Sequence, residues 1–146
     1  MTDLSKVRRN ETSQLVYHKT LNYGDCILEK RAAAAAGINE KIFINTKGQI
    51  SEGTVCNVFF VRKNMIYTPQ LSCGLLPGIL REYIMERFQV TETIIYPDEL
   101  MYYEECFVTN SLMGVMPVRQ LGNICFPHRA KADEVREVYE KEKMSL

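Results

Sequence analysis

The run Glu52-Gly53-Thr54-Val55-Cys56-Asn57 leads directly into Val58-Phe59-Phe60-Val61. Its second half is unbroken, apolar and rich in β-branched and aromatic residues, the pattern of a buried strand. Its first half places one carboxylate at the mouth of that strand. Burying an unpaired carboxylate is costly, so Glu52 is solvated, paired or functional. A pyridinium nitrogen is one partner that would satisfy it, and a plain strand-end glutamate is the simpler alternative.

The neighbouring segments extend this reading. Leu15-Val16-Tyr17-His18-Lys19 reads as a short strand that delivers Lys19 to a turn. Asp25 to Ala36 reads as a helix, with Asp25 at its start, alanines in its last turns and Gly37 just beyond. Lys41 to Asn45 alternates as a strand, and Lys47-Gly48 is a turn signal. Gln49 to Arg62 reads as one long central strand or a strand pair. Lys63-Asn64 turns the chain into Met65-Ile66-Tyr67-Thr68, the return arm of a hairpin.

Gly78 to Phe88 is predicted helical, with Ile79, Leu80, Tyr83, Ile84 and Phe88 on one face. Val90 to Tyr96, Glu105 to Asn110 and Gly114 to Leu121 are predicted strands, and Pro97 to Met101 a short helix or turn. Arg129 to Lys143 closes the chain as an amphipathic helix with Ala132, Val135, Val138 and Tyr139 inward. Helices and strands are interspersed, yet successive strands look hairpin-linked. The expected class is therefore mixed α/β (α+β), a mixed-sheet open barrel flanked by helices.

With 146 residues, 46% of them hydrophobic, the chain suits one domain with one core. Met1 to Thr12 is polar and without periodicity, and reads as an arm or linker (1–12) before a domain spanning 13–146. Lys+Arg and Asp+Glu both number 18, so no global charge favours nucleic acid. No apolar run approaches the roughly 20 residues of a membrane span, so no membrane partner is expected. The cysteines, Cys26, Cys56, Cys73, Cys106 and Cys125, form no Cys-x-x-Cys pair, which argues against a metal site. Their odd number and the polar N-terminus suit a reducing cytoplasm.

Four places carry chemistry. Lys19 could act as a base or nucleophile if burial lowered its pKa; the plainer alternative is a solvated lysine. Glu52 is the acid. Leu75-Leu76-Pro77-Gly78-Ile79-Leu80-Arg81 opens a helix, whose first amides (Gly78, Ile79, Leu80) and dipole suit an anion. Thr109-Asn110-Ser111 offers further amides and hydroxyls, or an ordinary capped turn. The pairs Cys56/His18 and Cys125/His128 come with no orienting residue, and Ser72-Cys73-Gly74 is no nucleophile elbow.

Lys19-Thr20-Leu21-Asn22, Glu52 with Asn57-Val58-Phe59, Gly78-Ile79-Leu80-Arg81 and Phe107-Val108-Thr109-Asn110-Ser111 occur in that order. Together they resemble the class IV aminotransferases, the fold-type IV pyridoxal-phosphate enzymes, from about Arg8 to the C-terminus. The resemblance implies pyridoxal 5′-phosphate as cofactor, a small-molecule amine as substrate and a homodimer. It implies Lys19 as the cofactor-anchoring lysine and proton shuttle, and Glu52 as the partner of the pyridine nitrogen. Leu76 would pack on the ring. The backbone of Gly78, Ile79 and Leu80, with Asn110 and Ser111, would bind phosphate. Asn57 belongs to the cofactor-binding set, and Tyr23 is similar to a tyrosine at the cofactor phenolate, displaced by one residue in register.

Within the family, Asn110-Ser111-Leu112-Met113-Gly114-Val115-Met116-Pro117-Val118 and the apolar Leu80, where transaminases usually place Thr, resemble the aminodeoxychorismate lyase branch. A branched-chain or D-amino acid transaminase is the alternative. The family carries a further domain before the lysine strand, which supplies an arginine for phosphate. Its absence here leads to the expectation of a fragment or truncated gene, and of a third alternative: a binding or dimerisation unit without activity.

Overall fold

Lys63 and Asn64 both take positive φ, 50° and 63°, and pair Arg62 with Met65 across a two-residue turn. Two consecutive left-handed residues match the twist of the strands they join. The computed structural model containing this hairpin describes residues 2–9, 40–53 and 56–144. The expected strand ending at Lys19 and the expected helix at 25–36 lie outside them.

The described strands are β1 (Thr2–Arg9), β2 (Glu40–Asn45), β3 (Ile50–Gly53), β4 (Asn57–Arg62), β5 (Met65–Pro69), β6 (Val90–Thr93), β7 (Glu105–Asn110), β8 (Gly114–Val118), β9 (Gln120–Leu121) and β10 (Ile124–Cys125). The helices are α1 (Ile79–Arg87) and α2 (Ala130–Met144), with 3-10 turns at Leu71–Cys73 and Pro97–Tyr102. One sheet runs β10-β9-β1-β2-β3 and the other β6-β5-β4-β7-β8. Both mix parallel and antiparallel pairs, β1 with β2 and β5 with β6 being parallel. The expected mixed α/β class with mixed sheets therefore holds.

Several boundaries differ from the sequence reading. The polar segment taken as an arm contains β1, which pairs in parallel with both β2 and β9. Strand formation there comes from partners distant in sequence, which local composition does not carry. Gln49 to Arg62 is a pair of strands, and the two belong to different sheets. Gly114 to Leu121 likewise splits into β8 and β9 in different sheets, and Ile124–Cys125 adds a strand that the reading missed.

The apolar run of β4 is buried on both faces, because each face meets a different layer. Val58 and Phe60 pack toward the other sheet with Ile42, Ile44, Ile50, Cys106 and Val108. Phe59 and Val61 pack toward the helices with Leu80, Ile84, Phe107, Ala132 and Val135. Phe59 stacks on its cross-strand partner Phe107 with ring centroids 4.9 Å apart. Ile79 departs from the expected inward face of α1 and is 83% exposed at the first turn.

Glu105, buried in β7, caps α2 from a distance. Its carboxylate accepts the amide of Lys131 at 3.0 Å and that of Ala132 at 3.1 Å. These are among the amides that have no intrahelical acceptor, and a carboxylate also suits the helix dipole. Glu105→Ala is expected to cost about 1–3 kcal/mol, because two amides lose their acceptor at once. Urea denaturation checks this; the neighbouring Glu104→Ala should change stability far less.

Candidate active site

The loop between β5 and α1 is fixed by side chains from the end of β2, from β3 and from the start of β4. The Asn45 amide donates to the Cys73 carbonyl at 3.2 Å. The Ser51 hydroxyl donates to the Gly74 carbonyl at 2.8 Å. Glu52 Oε2 accepts the Leu76 amide at 3.0 Å. Asn57 grips twice: its Nδ2 donates to the Leu76 carbonyl at 2.9 Å, and its Oδ1 accepts the Gly78 amide at 3.2 Å. Gly74 sits at φ 90°, a left-handed conformation that favours glycine.

Glu52 is 5% exposed, so the strand-mouth carboxylate is buried. Part of what keeps it there is the Leu76 amide, a partner that the sequence did not suggest. Leu76 itself is half-buried beside it. Asn57 is buried at the start of β4. Its contacts assign it to holding the loop.

The geometry corrects one detail of the anion-binding expectation. The Gly78 amide is engaged by Asn57, so it is not among the free amides. Those of Ile79 and Leu80, the first residues of α1, have no intrahelical acceptor. Gly78 brings no side chain to cap them, and a Cβ there would lie 2.6 Å from Asn57 Oδ1. A side chain at 78 would therefore have to displace the Asn57 amide that bonds the loop. The Leu80 side chain turns into the core beneath α1, so it offers the site its backbone only.

The end of β7 lies beside this helix start, since Thr109 pairs with Asn57 across the sheet. Asn110 Oδ1 accepts the amides of Leu112 at 3.0 Å and Met113 at 2.6 Å, so its side chain closes its own turn. Ser111 is exposed. Thr109 Oγ1 is buried and has no hydrogen-bond partner among the described residues. The sequence marks Thr109 only as part of the Thr109-Asn110-Ser111 set; the burial of its hydroxyl comes from the fold around it. Lys19 and Tyr23 lie outside the described residues. Glu52, Asn57, Leu76 and Gly78 are brought into one bonded set, with Ile79 and Leu80 following it and Asn110 and Ser111 on the adjacent strand end.

Among the described residues no group of His, Cys, Asp and Glu could hold a metal ion, and no helix is long and apolar enough to cross a membrane. Cys56, Cys73 and Cys106 are buried, and burial pushes the Cys106 thiol far up. It is a structural cysteine rather than a nucleophile.

Asn57→Ala removes both grips on the loop and leaves the Leu76 carbonyl and Gly78 amide without them. A loss of about 2–4 kcal/mol is expected, two orphaned backbone groups at about 1–2 each. Thermal denaturation measures it. A change within experimental error would mean the loop holds itself.

A helix start with open amides, a buried carboxylate beneath the preceding loop and a hydroxyl with no partner among the described residues thus lie close together. The model for amino-transferase class IV matches residues 1–121, and the chain belongs to this family of pyridoxal-phosphate-dependent enzymes. It is 33% identical over 104 residues to the branched-chain amino acid aminotransferase 2, chloroplastic, of Humulus lupulus, covering 66% of this chain and 26% of that protein. A Legionella pneumophila structure described as a "putative 4-amino-4-deoxychorismate lyase" superposes with a TM-score of 0.91 at 28% identity, over 97% of this chain and 55% of that one. The Thermobaculum terrenum branched-chain amino acid aminotransferase in its PLP form gives 0.87 at 26% identity, over 97% and 49%. The chain thus spans about half, or less, of the length of these relatives.

Proposed function

We propose that this chain forms the pyridoxal-phosphate-binding part of a 4-amino-4-deoxychorismate lyase, which releases 4-aminobenzoate and pyruvate and works as a homodimer on a small-molecule amine. The observation that carries the cofactor reading is the clamp of Glu52 and Asn57 on the loop that starts α1. The residues fit the group. Glu52 supplies a buried carboxylate, Ile79 and Leu80 supply open amides, and Thr109 has a buried hydroxyl in need of an acceptor or donor.

When bound, pyridoxal phosphate supplies an electron-accepting ring that stabilises negative charge on the amine-bearing carbon. The chain's own residues prepare that chemistry. Lys19 Nζ anchors the cofactor's aldehyde carbon and, once released, takes and returns the substrate proton. Glu52 holds a proton on the ring nitrogen. Leu76 presents an apolar face to the ring and keeps water from it. The Ile79 and Leu80 amides, with Ser111 and the turn capped by Asn110, receive the phosphate. Asn57 and Gly78 hold the loop in place, and the family resemblance gives Tyr23 the role of contacting the phenolic oxygen.

The lyase assignment draws on the Asn110-to-Val118 motif, on Leu80 where a hydroxyl is usual in transaminases, and on the Legionella likeness. A branched-chain transaminase is favoured by the names of the curated relatives. Measuring pyruvate release from aminodeoxychorismate against keto-acid-dependent amino transfer separates the two. Pyruvate and 4-aminobenzoate formed in equal amounts without a keto acid is the expected result. Amino transfer with no pyruvate release would replace the lyase by the transaminase.

A further inference from the structure

Arg81, the third residue of α1, is 1% exposed. A guanidinium cannot shed its charge, so burial must be matched by acceptors. Its Nη2 donates to Glu92 Oε1 at 2.7 Å and to the Pro69 carbonyl at 3.3 Å. Its Nη1 lies 3.6 Å from Glu82 in the same helix. Its Nε is buried with no acceptor among the described residues.

Leu80 and Ile84 already seat α1 on the sheet, and an apolar side chain of similar volume can replace a buried ion pair without loss of stability. What the charge adds is direction. Pro69 ends β5 and Glu92 lies in β6, neighbouring parallel strands in which Thr68 is opposite Glu92 and Pro69 opposite Thr93. One planar group thereby ties the first turn of α1 to the ends of two strands. Asn57 and Glu52 fix the loop entering the same turn from β3 and β4. The turn held between these anchors carries the Ile79 and Leu80 amides.

We infer that Arg81 is a positioning residue: through its buried bonds to Glu92 and Pro69 it holds the first turn of α1 so that its amides meet the cofactor phosphate. This rests on the pyridoxal-phosphate reading above. Arg81 acts on the phosphate end only, because its buried guanidinium is bonded to Glu92 and Pro69 and reaches the site through the first turn of α1 alone. Its loss should therefore weaken a phosphorylated ligand and spare an unphosphorylated one.

The test compares pyridoxal 5′-phosphate with pyridoxal, each titrated against the full chain and trapped with borohydride, in wild type, Arg81→Met and Arg81→Lys. Wild type should prefer the phosphorylated form. Arg81→Met should lose about tenfold or more in affinity for pyridoxal phosphate and less than about twofold for pyridoxal, as expected when a binding group is misplaced rather than removed. Arg81→Lys, which keeps the charge but lacks the planar, rigid fork, should fall between, and it decides the matter alone if Arg81→Met fails to fold. Equal losses for both ligands would reduce Arg81 to a structural role, and unchanged affinity for both would make it a bystander; either overturns the inference. A wild type that binds both ligands equally overturns the anion site itself, a separate failure.

Discussion

Glu52→Gln is expected to fold as the wild type does and to lose about a hundredfold or more in turnover of an amine substrate. Glutamine keeps an oxygen for the Leu76 amide, now 3.0 Å from Glu52 Oε2, so the loop stays clamped. It cannot hold a proton on a ring nitrogen as a carboxylate does, so the ring loses much of its capacity to take up charge. Glu52→Ala removes both functions. It orphans the Leu76 amide at a cost of about 1–3 kcal/mol and should lose turnover as well. Single-turnover kinetics and thermal melts on the two variants separate the electronic role from the structural one. If Glu52→Gln keeps full turnover, the carboxylate is only a clamp, and the pyridine-partner role is withdrawn.

The parts of the fold legible in the sequence are those set by near neighbours. Lys63-Asn64 announces a tight turn between alternating segments, and α2 shows its inward Ala132 and Val135 by spacing alone. The strand β1 was not legible. Its partners are β2 and β9, far along the chain, and nothing in a polar octet marks parallel pairing. The change of sheet between β3 and β4 was hidden for a different reason. β3 is short and carries Ser51 and Glu52 while β4 is largely apolar, and neither composition says which sheet a strand joins.

The site divides in the same way. Glu52 stood out because a carboxylate beside a buried strand needs a partner. The helix start at Gly78 stood out from its Pro-Gly entry. The clamp joining them did not, since Asn45, Ser51, Glu52 and Asn57 reach backbone groups 28, 23, 24 and 19 residues away. Asn57 in particular reads as part of the cofactor-binding set, and its bonds to the Leu76 carbonyl and Gly78 amide show that it holds the loop. The burial of Arg81 had no sign in the sequence, because its acceptors come from β5 and β6. A side chain that acts through tertiary contacts has no local signature.

Lys19→Ala has the largest expected effect, a complete loss of covalent capture. A lysine amine is the group that can join the cofactor's aldehyde, and no neighbouring residue type replaces it. Folding should be unchanged in this variant, which circular dichroism checks. Pyridoxal phosphate incubated with the chain, reduced with borohydride and located by peptide mass mapping tests the central claim most directly. The account predicts one adduct, on Lys19, that disappears in Lys19→Ala. An adduct that persists in that variant, or none in the folded wild type, would contradict it.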